Sequence, residues 1–194
     1  MILMKDIIRE GHKTLTTVAK EVVLPLSGAD KKTLVDLLEY VKNSQDPEMV
    51  EKYGLRPGVG LAAPQINVSK RMFAVHAPDL DNNLYSFAFV NPVITPVGNN
   101  IIYLPGGEGC LSVDRITEGL TPRYETIKVE GLAYDQEHDR LSSVSFTVSG
   151  YIAIVFQHEY DHLNGILYVS KLFDHLPNAK PAFEYEIAEE ETNE

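Results

Sequence analysis

The chain has almost no cysteine: Cys110 is the only one among 194 residues. A lone cysteine cannot close an intramolecular disulfide, so this is not a disulfide scaffold and an apolar core must hold the fold. Long apolar runs are also missing. No stretch approaches the roughly 18 residues needed to cross a bilayer, so no membrane association is expected. The opening "MILMKDIIREGHK" carries charges where a secretory signal needs its apolar segment, and it lacks a small-residue cleavage site. The expected location is the cytoplasm. Positive charge is scarce as well, with 17 Lys and Arg against 28 Asp and Glu and a net charge of −11. Such a surface repels phosphate backbones, and there is no basic cluster to offset it. Direct nucleic-acid binding is not expected.

What is present reads as an ordinary globular chain, 44% hydrophobic and 23% charged, of a length suited to one domain. Residues 1–180 are expected to form that domain. Residues 181–194, rich in glutamate, are expected to be a mobile acidic tail. "LPLSGA" reads as a loop. Asp30 then caps a helix to about Gln45, with Leu34, Leu37, Leu38 and Val41 on one buried stripe. A short helical turn after Pro47 stops at Gly54. From Arg71 to Ser149 the β-branched and aromatic runs predict strands: "RMFAVHA", "LYSFAFVNPVI", "NIIYL", "ETIKVEGLAYD" and "LSSVSFTVS". "PDLDNN" and "VGNN" read as hairpin connections. No helix-length segment separates these strands, so antiparallel pairing is expected. The helix "GYIAIVFQHEYDHLN" follows, closed by Gly165, and its apolar first half predicts burial at the centre of the fold. The fold class is therefore α+β, with antiparallel sheets packed around a central helix.

That helix carries His158-Glu159-Tyr160-Asp161-His162. Residues four apart share a helix face, so both imidazoles can address one metal ion. Glu159 is rotated off that face, where it can approach a water without ligating the metal. Asp161 is a candidate to orient one of the rings. A third protein ligand is required. His12, His76, His138 and His175 lie in turns or alone on strands and read as surface or satisfied histidines. Cys110, in the glycine-rich "GGEGCLSVD", reads either as a small buried hydrophobe or as a thiolate. As a thiolate it could complete a Cys/His/His site with one open position.

"GVGLAAPQ" (58–65), "EGCLS" (108–112) and "HEYDH" (158–162) together resemble the three motifs of the peptide deformylases, in that family's order. The likeness extends to "IIREGHKTL", "PRYETIKVEGLAYD" and "IAIVFQHEYDHLNGILY". The long spacer "NSQDPEMVEKYGLRPG" is similar to the form found in Gram-positive bacteria. The resemblance implies a hydrolase removing the formyl group from N-terminal formyl-methionine of newly synthesised polypeptides and releasing formate. It implies Cys110, His158 and His162 as metal ligands, Glu159 as general base, and Gln65 with the backbone N–H of Leu111 as donors to the developing oxyanion. It implies ferrous iron (Fe2+) in the cell, with Zn2+, Ni2+ or Co2+ able to use the same ligands, and predicts oxygen sensitivity. Gly58, Val59 and Gly60 are expected to line a bound peptide added as a strand, Ile154 and Val155 the methionine pocket. Arg123 is expected to contact substrate or the groups behind the ligands. The working form is expected to be a monomer. Two other classes fit parts of this pattern. A zinc metallopeptidase would draw its third ligand from Glu184 or Glu186, and a silent binding protein would merely capture formylated N-termini.

Overall fold

The computed structural model describes residues 1–184. The acidic stretch after Glu184, with Glu186, lies outside the described residues. Among the described residues there are three α-helices, eight strands and short 3₁₀ turns.

Helix α1 spans Gly28–Asn43 and starts three residues earlier than a cap at Asp30 implies. Ser27 is the cap, its Oγ accepting from Asp30 N at 3.1 Å and donating to the Asp30 carboxylate at 2.6 Å. A serine followed three residues on by an acid satisfies the free N–H groups from both ends, and so outcompetes Asp30 as the cap. Leu34, Leu37, Tyr40 and Val41 are fully buried on its inner face. Helix α2, Pro47–Tyr53, has Asp46 as its cap and ends at Gly54 in the left-handed region, φ 61°.

The larger sheet has the order β1-β2-β3-β6-β7, all neighbours antiparallel. Its strands are β1 (Gly60–Ala62), β2 (Met72–Pro78), β3 (Leu84–Pro96), β6 (Thr126–Asp135) and β7 (Arg140–Ser149). A smaller sheet holds β4 (Ile101–Tyr103), β5 (Arg123–Tyr124) and β8 (Ala179–Pro181) in the order β5-β4-β8. "PDLDNN" does join a hairpin, β2 to β3. "VGNN" does not. It carries the chain from β3 in one sheet to β4 in the other. Turn residues reverse the chain either way, and pairing partners decide whether a hairpin results. The pairing of β4 with β8 is parallel, and β8 was not anticipated because three residues give no periodic signal.

Helix α3, Gly150–Leu163, touches β1 and β2 of the larger sheet and β5 of the smaller. Phe156 is fully buried at a junction of aromatic rings, with edge contacts to Phe73, Phe89 and Phe146 at 5.6–5.9 Å between centroids. The helix caps at Asn164. Gly165 follows with φ 69°, and a Cβ there would lie 2.8 Å from the Thr16 carbonyl carbon. Only glycine fits both demands. The apolar residues of α3 thus anchor the helix in the core, and its last turns carry the polar residues to a cleft.

Candidate metal centre and peptide cleft

His158 and His162 project from one side of α3, their rings 5.0 Å apart and near perpendicular. Cys110 comes from the loop after β4. Its Sγ lies 3.4 Å from His162 Nε2. One donor atom from each of Cys110, His158 and His162 lies within 4.8 Å of the others. Among the described residues this is the one such convergence of His, Cys, Asp or Glu donors. A thiolate with two imidazoles suits a divalent transition metal.

His158 turns its Nδ1 to Glu108 Oε2 at 2.8 Å, which leaves Nε2 for the site. Glu108 is itself held by Arg123, whose Nε and Nη2 donate to its two oxygens at 2.7 and 2.8 Å. Arg123 Nη1 donates to Asp161 at 2.5 Å, and Lys171 Nζ donates to Asp161 at 2.8 Å. One expectation is corrected here and another is narrowed. The carboxylate that orients a ring is Glu108, not Asp161, whose oxygens are taken by Arg123 and Lys171. Arg123 is buried and does not line the cleft, and of the two contacts expected of it the structure shows the one to groups behind the histidines, Glu108 and Asp161. Its guanidinium matches a bidentate carboxylate, and burial makes that pairing compulsory. In the sequence Glu108 was legible only as the acid that opens "EGCLS", two residues before Cys110, a weak signal.

Burial opposes the charged form of Glu108, but the bonds from Arg123 and His158 outweigh it and hold its pKa at about 2. Burial pushes Glu159 the other way, up to about 7, with His158 and Arg123 only partly opposing. Burial and the neighbouring His158 and Arg123 hold His162 well below its ordinary value, so it is a neutral imidazole. Glu159 Oε2 is buried and has no protein donor. A bare buried carboxylate oxygen is costly, so a cation or a water belongs beside it, and the residues present fit a metal site.

Gly60 is packed onto Glu159: a Cβ there would be 2.4 Å from Glu159 Oε1. Gln65 is buried, its Oε1 accepting from Ala62 N at 2.9 Å. That bond aims Nε2 toward Ser112 Oγ at 3.2 Å and Cys110 Sγ at 3.4 Å. A cleft of about 350 Å3 opens over these groups. Gly58, Val59, Gly60, Gln65, Leu111, Ile154 and Val155 all line it, and so do Leu104 and Tyr151, for which the sequence offered no signal. Of the remaining histidines, His12 caps a turn, His76 bonds Ser86, His138 bonds Asp135, and His175 is exposed.

A cysteine sulfur and two imidazoles beside a carboxyl of raised pKa, under a cleft flanked by an edge strand, are the parts of a metal-dependent hydrolase that takes an extended chain. Residues 4–177 match the family described as Polypeptide deformylase. The chain belongs to that family. It is 49% identical over 188 residues to "Peptide deformylase 2" of Bacillus subtilis, covering 97% of each chain. It is 56% identical over 172 residues to "Peptide deformylase 2" of Geobacillus stearothermophilus, covering 89% of this chain and 91% of that one. Among solved structures it resembles an actinonin-bound class I type b peptide deformylase from Acinetobacter baumannii. That match has 29% identity and a TM-score of 0.65, covering 89% of this chain and 99% of the other. The Thermotoga maritima peptide deformylase gives 31% identity and a TM-score of 0.61 over 86% of this chain and 96% of the other. The family match displaces the metallopeptidase reading, and the donor that lies with the two histidines is Cys110 rather than Glu184.

Proposed function

We propose that this chain is a metal-dependent hydrolase that removes the N-formyl group from the formyl-methionine of newly made polypeptides, releasing formate. The observation that carries the reading is the convergence of Cys110, His158 and His162 beside the unpartnered Oε2 of Glu159.

Cys110, His158 and His162 would hold the metal, which when bound acidifies water and draws electron density from the formyl carbonyl. Glu159 takes the proton from the attacking water and returns it to the departing amine. Its raised pKa suits both roles near neutral pH. Gln65 is held by Ala62 N with its amide pointing into the site. Its Nε2–H and the backbone N–H of Leu111 donate to the formyl oxygen as charge develops. Glu108 and Arg123 fix the orientation of His158.

The peptide adds along the free side of β1, at Gly58, Val59 and Gly60, by backbone bonds that ignore sequence. Ile154 and Val155 wall the methionine pocket, and both are buried. Ferrous iron is the resident metal, a thiolate-bound site sensitive to oxygen; zinc, nickel or cobalt can replace it. The enzyme works as a cytoplasmic monomer, with no direct nucleic-acid binding and only transient proximity to ribosomes. Among the described residues no helix is long and apolar enough to cross a membrane.

The test is formate release from a formyl-methionyl tripeptide by protein purified without oxygen, beside Glu159→Gln and the unformylated peptide. Formate released by the metal-loaded wild type and not by the variant is the expected result. No release by the metal-loaded wild type refutes the reading.

A further inference from the structure

The cleft lining includes polar side chains that have no part in the chemistry above, and Gln45 is one of them. Gln45 lies at the junction of the two N-terminal helices, between Ser44, which ends α1, and Asp46, which caps α2. Its Nε2 donates to two backbone carbonyls, Gly58 O at 2.9 Å and His76 O at 2.8 Å. Those carbonyls belong to different segments. Gly58 lies just before β1 begins at Gly60, and His76 is on β2.

Gly58 and Val59 need such a clamp. They fall outside the ladder, whose register starts at Gly60 opposite Val75. Among the described residues, the bond from His76 N to Val59 O at 2.9 Å is the one backbone hydrogen bond that ties residues 58–59 to β2. Ser44 Oγ accepts from Gly58 N at 3.1 Å. Its own proton has a nearer acceptor in Val41 O, 2.9 Å away, than in Gly58 O at 3.3 Å. Gln45 is therefore the principal holder of the Gly58 carbonyl. Both neighbouring contacts of this segment reach the chemistry. A Cβ on Gly58 would touch Leu111 Cδ1 at 3.2 Å, and Gly60 packs on Glu159.

We infer that Gln45 is a positioning residue for peptide substrates: it fixes residues 58–59 against β2, so that the edge offered to a bound chain is preformed. Preforming that edge removes an ordering cost which a longer substrate would otherwise meet along its length. A substrate with nothing beyond methionine gains little from it. The inference rests on the proposed docking of the peptide along β1.

The test compares a formyl-methionyl tripeptide with formyl-methionine amide on wild type, Gln45→Met and Gln45→Glu, with thermal denaturation of each. Gln45→Met keeps the length and loses the donors. Gln45→Glu sets a carboxylate against two carbonyl oxygens. The ratio of kcat/KM for the tripeptide to that for the amide is expected to fall about tenfold in Gln45→Met, mostly through KM, and further in Gln45→Glu. Equal losses on both substrates overturn the inference, as does an unchanged ratio in both variants. If the wild type releases formate from neither substrate, it is the functional reading that fails instead.

Discussion

The backbone of Gly60 and the carboxylate of Glu159 are in contact with no room between them. A single Cβ on Gly60 would lie 2.4 Å from Oε1 and 2.6 Å from Cδ. Gly60 is thus the floor on which the base rests. Gly60→Ala is expected to keep the fold but push Glu159 aside, lowering kcat about 100-fold, as displacements of about 1 Å do. Gly58→Ala meets only the end of the Leu111 side chain at 3.2 Å and should cost less. Steady-state kinetics of the two variants, with circular dichroism, checks the order.

Glu159→Gln should lose at least 100-fold in kcat while retaining its metal, since the glutamate supplies no ligand atom to the Cys110, His158, His162 set. The same change should stabilise the metal-free protein at high pH. Burial raises Glu159 from 4.5 to about 7, so the folded state holds the proton more tightly than the unfolded state. That favourable term is complete below about pH 4.5 and lost as pH rises through 7. At pH 8 the wild type has forfeited about 3 kcal/mol that the glutamine variant keeps. Urea denaturation with chelator present, at pH 5 and pH 8, measures the difference.

Glu108 has the opposite sign. Its carboxyl is held at about 2 by Arg123 and His158 against burial, so its contribution is present above about pH 4.5 and lost as pH falls toward 2. The shift corresponds to about 3 kcal/mol. Glu108→Gln should flatten this acid limb and also destabilise at pH 7, because Arg123 would keep Asp161 as its one carboxylate partner among the described residues. Denaturant midpoints of the chelated proteins from pH 3 to pH 7 read both effects.

Cys110→Ala removes one of three donors and should release the metal at micromolar protein. Cys110→Ser, with a harder oxygen donor in place of the soft sulfur, should bind the metal more weakly than wild type. Metal content after dialysis checks this. Air exposure of the iron-loaded wild type should abolish activity with oxidation of the Cys110 thiolate seen as added mass. A zinc-loaded sample should survive.

Much of the fold could be read in advance because its signals are local. The strands from Met72 to Ser149 alternate or carry β-branched runs, and α3 couples an apolar half to a polar end within one periodicity. Ser27 rather than Asp30 caps α1 because the two act as a pair, which a residue-by-residue scan splits. "VGNN" failed as a hairpin because a turn is local and its pairing partners are not. β8 failed because three residues beside β4 carry no pattern of their own.

For the site, the sequence by itself determined the chemistry of the donors. Two histidines four apart on a helix share a face by helical geometry alone, and one thiol in a chain with no disulfide partner is left available for ligation. The tertiary structure decided how those donors are aimed and charged. It brought Glu108, 50 residues away, to His158 Nδ1, and gave Arg123 to Glu108 and Asp161 where a substrate contact had been open. It set Gly60 under Glu159. Residue type and helical spacing are properties of neighbours along the chain. Orientation, desolvation and close approach depend on which distant segments the core packs together, and only the folded chain contains that information.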